Sequence, residues 1–277
     1  MVTTVNRVTF LGGGNMARAL IQGLLRQGVA PTQLSVGEPD AAQRSALQRD
    51  FGITALADNA AALSGARVAV LAVKPQQLRA LFPPLHATLS RHRPLLLSIV
   101  AGVRCAQLAQ SAAGLPVIRA MPNRAALVGA GITALFAGPG AGPEDRVLAE
   151  QVLSAAGSTV WVPSESDLDI VTALSGSGPA YFFQLAEHMA TAAQALGLDA
   201  HTATLLARET LRGTGALCST PLSLAEQRQA VTSKGGTTEA ALQAFSHRDF
   251  AGLVTEALTA ATDRAKQLAG QFAAELD

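Results

Sequence analysis

Near its start the chain passes from the apolar run Val8-Thr-Phe-Leu11 through Gly12-Gly-Gly-Asn-Met-Ala17 into a helical pattern over Asn15–Gln27. Few folds use such a step from strand through glycine turn to helix. In the spacing G-x-G-x-x-A, Gly12 allows a tight turn, Gly14 admits a phosphate group to the backbone, and Ala17 lets the helix pack closely. The first-turn amides of a helix lack intrahelical acceptors and sit at the positive end of its dipole, so they favour an anion. The turn therefore predicts the opening βαβ unit of a dinucleotide-binding sheet, the plain alternative being an ordinary glycine-rich turn.

Short apolar runs recur at Leu34–Val36, Val68–Val73, Leu95–Val100, Val117–Ala120, Ile132–Phe136 and Thr159–Val162. Many are continuous rather than alternating, as parallel strands buried on both faces require. With helical patterns such as Asp40–Phe51 between them, the expected fold class is α/β, a doubly wound, mostly parallel Rossmann sheet over residues 1–163. Ala137–Pro143 reads as a surface turn, and the domain boundary falls near Pro163–Ser166. Beyond it the patterns Leu168–Leu196, Thr202–Leu217, Leu222–Ala230, Thr237–Phe245 and Phe250–Ala274 predict an all-α domain over residues 164–277, with Pro179 breaking or kinking the first helix.

Composition narrows the partners. The chain is 49% hydrophobic and only 15% charged, too little polar cover for a monomer, which points to pairing with another copy. A net charge of +1 without a basic run excludes a nucleic-acid footprint. No segment has the apolar length to span a membrane, and the first residues lack an export signal, so a cytoplasmic protein is expected. Cys105 and Cys218 lack metal or disulfide spacing and read as buried thiols; the five histidines are scattered, so no metal site is expected.

Glu38 closes the second strand about 20 residues beyond the glycine turn, where a carboxylate grips the adenosine ribose hydroxyls and repels a 2′-phosphate. It favours NADH over NADPH, although Glu38 could merely open the next helix and Arg44 stands close enough to reach a phosphate. The strand ends at Lys74-Pro75 and Ala101-Gly102 line the crevice for the nicotinamide half; Lys74 either meets the cofactor or is an ordinary exposed lysine.

A second loop, Val231-Thr-Ser-Lys-Gly-Gly-Thr-Thr-Glu-Ala240, runs straight into a helix. Ser233 is positioned to cap it, Gly235 and Gly236 permit close approach of a small anion, and Thr238 offers a hydroxyl inside the first turn. An ordinary capped helix start is the plain alternative.

Gly12–Ala17, Ala72–Pro75, Ala173-Leu-Ser-Gly-Ser-Gly-Pro-Ala-Tyr181 and Val231–Thr238, joined by Arg119–Asn123 and Val128–Gly131, stand in an order and spacing that resembles pyrroline-5-carboxylate reductase over nearly the whole chain. The resemblance implies reduction of L-1-pyrroline-5-carboxylate to L-proline by NADPH or NADH, the last step of proline biosynthesis. It implies a homodimer, often five dimers in a ring, whose active site joins the cofactor of one subunit to the 233–238 loop of the other. By resemblance, Leu11, Gly12, Gly13, Gly14, Asn15, Met16, Asn59, Ala72, Val73, Lys74, Pro75, Ile99, Val100 and Ala101 contact the cofactor; Ala17 and Glu38 join them from the turn motif. Ser233, Gly235, Gly236, Thr237 and Thr238, with Met121 and Asn123, take the substrate. Thr238 is the candidate catalytic group, hydrogen-bonding the ring nitrogen.

The chain departs from that family's pattern at several places. Arg124-Ala125 stands where Thr-Pro is usual, Lys234 replaces a proline, Ala230 replaces a polar residue, Gln227 occupies an aliphatic position, and an expected acid has no match near Cys218–Pro221. These changes bear on substrate affinity more than on reaction type. Lys234 and Arg124 either favour a second negative group on the ligand, strengthen the hold on one carboxylate, or are solvated charges. Two alternatives stay open: a reductase of a related cyclic imine, and a catalytically weak dinucleotide-binding sensor or scaffold. A hydroxyacid reductase of the same plan would carry a lysine within Leu168–Leu196, and none is present.

Overall fold

The structure, a computed structural model, describes residues 7–276. Residues 1–6, which bear on the export-signal reading, lie outside it. The chain forms two compact units, residues 1–176 with 261–277, and residues 177–260.

The first unit alternates β1 (Val8–Leu11), α1 (Asn15–Arg26), β2 (Leu34–Gly37), α2 (Ala41–Phe51), β3 (Thr54–Leu56), α3 (Asn59–Ala62), β4 (Val68–Leu71), α4 (Leu78–Leu81), α5 (His86–His92), β5 (Leu95–Ser98) and α6 (Cys105–Ser111). It continues with β6 (Val117–Pro122), β7 (Gly131–Ala137), α7 (Pro143–Leu153), β8 (Gly157–Trp161) and α8 (Asp167–Val171). The strands make one sheet in the order β3-β2-β1-β4-β5-β6-β7-β8, parallel except for the antiparallel pair β6–β7. β1, β4 and β5 are buried along their whole lengths, and two apolar clusters, one around Phe10, Leu20 and Leu97 and one around Leu71, Leu85 and Leu108, account for their continuous hydrophobic runs. Strand order reverses between β1 and β4, so a crevice opens beyond the carboxyl ends of those strands. β3 is an addition to the sequence expectation: Thr54–Leu56 is too short to register as a run.

The predicted helix over Leu168–Leu196 is not continuous. α8 passes into a π-helical stretch over Thr172–Gly176, and α9 (Gly178–Ala195) starts afresh with Pro179 in its first turn. Proline there lacks an N–H that would have no acceptor anyway, so it starts a helix instead of kinking one.

The second unit holds α9, α10 (Ala200–Leu217), α11 (Leu224–Ala230), α12 (Thr237–His247) and the first turns of α13 (Phe250–Leu276). Asp199 accepts from the Thr202 amide at the start of α10, and the Thr202 side chain together with that amide holds its carboxyl below the usual range. Ser223 and Glu226 close a reciprocal capping box at α11. Gln227 donates to the Leu217 carbonyl at 3.1 Å and to the Thr220 hydroxyl, fastening the 217–223 turn. That bonding explains a polar side chain where the family pattern has an aliphatic one. Phe182, Phe183, Leu205, Leu206, Leu253 and Val254 are all exposed on the single chain.

Candidate active site

The glycine turn is built as its spacing predicts. Gly12 has φ +99°, and a Cβ there would lie 2.8 Å from the Ala72 carbonyl oxygen; its N–H donates to the Gly37 carbonyl at 2.8 Å. Ala17 is fully buried. Gly14 is the N-cap of α1, with no side-chain cap and open space where a Cβ would stand. Asn15 is exposed and Met16 half-buried beside it. An anion approaching this end finds the helix dipole and no protein carboxylate in the first turn.

Glu38 lies just past β2 and is 7% exposed. Its carboxylate accepts from the Gly13 amide at 2.9 Å and from the Asp40 amide at 3.0 Å. It does not open α2: Asp40 caps that helix through the Gln43 amide. The Arg44 guanidinium donates through Nη1 to the carbonyls of Glu38 and Pro39, at 2.9 and 2.7 Å, which holds it against the backbone of this turn.

Asn59 begins α3 beneath the same turn. Its Oδ1 is buried without a hydrogen-bond partner, and a Cβ on Gly37 would come within 2.0 Å of it. Buried acceptors are rarely left alone. A cleft of about 390 Å³ opens here, lined among others by Gly12, Gly37, Pro39, Asn59, Val73 and Leu81. The residues present fit an adenosine ribose and pyrophosphate: a bare helix start, the Glu38 carboxylate bonded to the glycine turn, and an unsatisfied amide oxygen. Gly37 was not among the residues singled out from sequence, and its only signal there was its place next to Glu38.

Ala72 and Val73 follow β4 half-buried, and Lys74 is exposed, its amide donating to the Gln77 side chain at 2.9 Å ahead of the short turn begun by Pro75. Ile99, Val100 and Ala101 follow β5 in the neighbouring position. The fold thus gathers the candidate cofactor residues at the carboxyl ends of β1, β2, β4 and β5. Met121 and Asn123 come from the next strand. Asn123 Oδ1 accepts from the Ile132 amide at 3.3 Å, and the Met121 methyl would stand 2.8 Å from a Cβ on Gly176. Arg124 is exposed.

A buried ionic cluster lies behind these strand ends. Arg119 on β6 pairs with Glu165 at 2.7 Å, and Arg104 pairs with Asp169 at 2.6 Å. Glu165 also accepts from the Cys105 amide at 2.7 Å. Burial, aided by the Glu165 charge, pushes the Cys105 thiol up to about 12. Cys218, by contrast, is exposed on the single chain, contrary to the expectation of two buried thiols; it follows the last residue of α10, where the helical pattern gives out and no longer tells in from out. Since the thiolate is the reactive form, Cys105 should resist iodoacetamide in the native protein at pH 8 and react only on unfolding. Peptide mass spectrometry after timed alkylation measures this, and rapid native labelling of Cys105 would contradict its burial.

The 233–238 loop belongs to the second unit. Ser233 does not cap α12: the N-cap is Gly236, with no side-chain cap, while the Ser233 carbonyl accepts the Gly236 amide at 3.0 Å. Gly235 takes φ +71° and so adds a turn between serine and helix. Its amide donates to Glu239 at 2.6 Å. Thr237 and Thr238 occupy the first turn, Thr237 exposed and Thr238 half-buried, and Lys234 is exposed. Among the described residues no group of three or more His, Cys, Asp or Glu side chains could hold a metal ion, and no helix is long and apolar enough to cross a membrane.

Residues 165–268 match the family model for pyrroline-5-carboxylate reductase dimerisation, and residues 7–102 match that for NADP oxidoreductase, coenzyme F420-dependent. The chain is 42% identical over 268 residues to a Pseudomonas aeruginosa pyrroline-5-carboxylate reductase, covering 96% of this chain and 98% of that one. It is 37% identical to the Vibrio alginolyticus enzyme at the same coverage. Among solved structures, a Coxiella burnetii pyrroline-5-carboxylate reductase superposes with TM-score 0.92 at 37% identity, covering 95% of this chain and 98% of that one. A Plasmodium falciparum pyrroline carboxylate reductase with NADP bound shares the fold, at TM-score 0.79 and 23% identity over 95% and 98% of the two chains.

Proposed function

The chain belongs to the pyrroline-5-carboxylate reductase family, and from that premise we propose which of its residues perform the reaction and with which cofactor. It reduces L-1-pyrroline-5-carboxylate to L-proline with NAD(P)H. The observation that carries our assignment of the substrate loop is the start of α12, where glycine stands at the N-cap with no side-chain cap.

The substrate has a ring C=N bond and a carboxylate. The first-turn amides of α12 and the helix dipole hold the carboxylate, with Gly235 and Gly236 adding no side chains of their own and the Glu239 carboxylate confined to the Gly235 amide. Ser233 and Thr237 add hydroxyls beside that position, and Met121 and Asn123 belong to the pocket from the end of β6. Reduction needs a proton on the ring nitrogen, because the iminium is the better electrophile. Thr238 holds that proton through its hydroxyl, directly or through water. The nicotinamide, when bound, supplies the hydride that the imine carbon accepts. Gly12 to Ala17, with Asn59, Ala72–Pro75 and Ile99–Ala101, would hold the cofactor, and positioning furnishes most of the acceleration. Following NADH and NADPH oxidation with pyrroline-5-carboxylate and piperideine carboxylates side by side tests the reading; no turnover with any of them would overturn it.

The preferred cofactor is NADH. Glu38 keeps its carboxylate at the ribose rim and bonds the glycine turn through Gly13, while Arg44 is engaged by carbonyls. A 2′-phosphate would meet the Glu38 charge, while the bonds of Arg44 Nη1 to two carbonyls hold that guanidinium against the backbone of the turn. We expect kcat/KM for NADH to exceed that for NADPH by roughly tenfold, about 1.4 kcal/mol, the order of a surface charge contact in partial solvent. Glu38→Ser should shrink that ratio, and an NADPH advantage in the unmodified enzyme would sink the assignment.

The dimerisation region makes the protein an oligomer. The exposed Phe182, Phe183, Leu205 and Leu206 are the surface a second copy would cover. The homodimer is the unit we propose, with the 233–238 loop of one subunit serving the cofactor of the other, further assembled as a ring of five dimers in the cytoplasm. The functional division of the chain falls at 163/164, ahead of the region matched to dimerisation.

A further inference from the structure

The turn that leaves β5 is held from two sides, and one of them is the far end of the chain. Ala101 and Gly102 form the turn, with Gly102 at φ +79°. A Cβ on Gly102 would lie 2.8 Å from Cδ2 of Phe272 and 3.6 Å from the Cα of Ala269, both on α13. Ala265 and Ala269, one helical turn apart, are 8% and 4% exposed. Phe272 follows on the same face and packs against the cluster that contains Val100, Val103 and Cys105. On its other side the turn is tied by charge: Arg104 to Asp169, and the Cys105 amide to Glu165.

Glycine at 102 does two things here. It permits a backbone angle that other residues resist, and its missing side chain leaves the space that the Phe272 ring fills. A ring seated on a bare, left-handed residue fixes the turn sterically, where a longer loop would drift.

We propose that Phe272 is a positioning residue for cofactor binding: it seats the Ala101–Gly102 turn so that Ile99–Ala101 present a fixed surface to the nicotinamide half. This rests on the reading that residues 99–101 touch the cofactor. Phe272 itself is placed in contact with neither cofactor nor substrate, so its effect passes through Gly102.

Steady-state kinetics on the full-length enzyme, with direct NADH binding by calorimetry, tests it through Phe272→Ala, Phe272→Leu and Ala101→Leu. Phe272→Ala should raise the KM and Kd for NADH about three- to tenfold, while kcat and the KM for pyrroline-5-carboxylate change by less than about twofold. Phe272→Leu, which refills most of the space, should recover most of the loss. Ala101→Leu, which puts bulk directly on the turn, should also weaken NADH binding. If Ala101→Leu weakens it and Phe272→Ala does not, the positioning role is overturned. If Ala101→Leu leaves NADH binding unchanged, the contact of residues 99–101 with cofactor falls, and the proposal with it. A Phe272→Ala enzyme that loses kcat and both KM values together, without recovery in Phe272→Leu, assigns Phe272 to general stability and overturns the proposal too.

Discussion

Replacing Thr238 by alanine should cut turnover of pyrroline-5-carboxylate roughly ten- to a thousandfold, the span for losing one proton-handling group. The KM for the nicotinamide cofactor should stay near its original value, because Thr238 belongs to the loop we assign to the substrate and not to the residues we assign to the cofactor. Folding is not at risk: Thr238 occupies the first turn of α12, where alanine is a better helix former than threonine. Circular dichroism on the same preparation verifies that. Thr238→Ser, which keeps the hydroxyl, should retain most of the rate. Full activity in the alanine variant would remove Thr238 from the chemistry, leaving hydride transfer to an imine protonated from solution.

The second large effect falls on stability. Glu165→Ala takes away the partner of Arg119, which is only 4% exposed, and the acceptor of the Cys105 amide. Breaking a buried pair by removing one member costs about 3–5 kcal/mol, and the 23% exposure of the Glu165 side chain puts this case at the lower end. The thermal midpoint should drop by roughly 10 °C. Glu165→Gln keeps an acceptor for Cys105 but loses the charge, and should fall between the two. Scanning calorimetry decides it: an unchanged midpoint for Glu165→Ala would mean that water or a neighbouring group takes over Arg119.

The first unit was largely legible because its strands are buried on both faces, and continuous runs such as Val68-Ala-Val-Leu71 leave little else for a chain to do. β3 escaped because three residues after Gly52 carry no period. The antiparallel turn of β7 could not be seen either, since strand direction leaves no mark on an apolar run. In the helical half, the break after Leu168 was signalled only by Pro179, while the π-helical turn from Thr172 arises from packing that no local residue announces. The 233–238 loop was found by its glycines, yet its cap was misplaced by three residues, because the left-handed Gly235 inserts a turn that propensity alone does not count. Glu38 could be located by spacing from the glycine turn. Its bond to Gly13, and the occupation of Arg44 by carbonyls, needed coordinates, as did the long-range seat of Phe272 on Gly102.

The first compact unit is discontinuous: it takes in residues 1–176 and again 261–277. A ribosome delivers the chain from its N-terminus at about 5–20 residues per second. The sheet can pair early, but the apolar surface that receives Ala265, Ala269 and Phe272 stays uncovered until the whole helical unit has been made. During synthesis, then, the nucleotide-binding half waits for the last segment to emerge, and a fragment ending at residue 176 would expose that surface permanently. Such a fragment should be harder to express as a soluble protein than its Rossmann-like outline suggests.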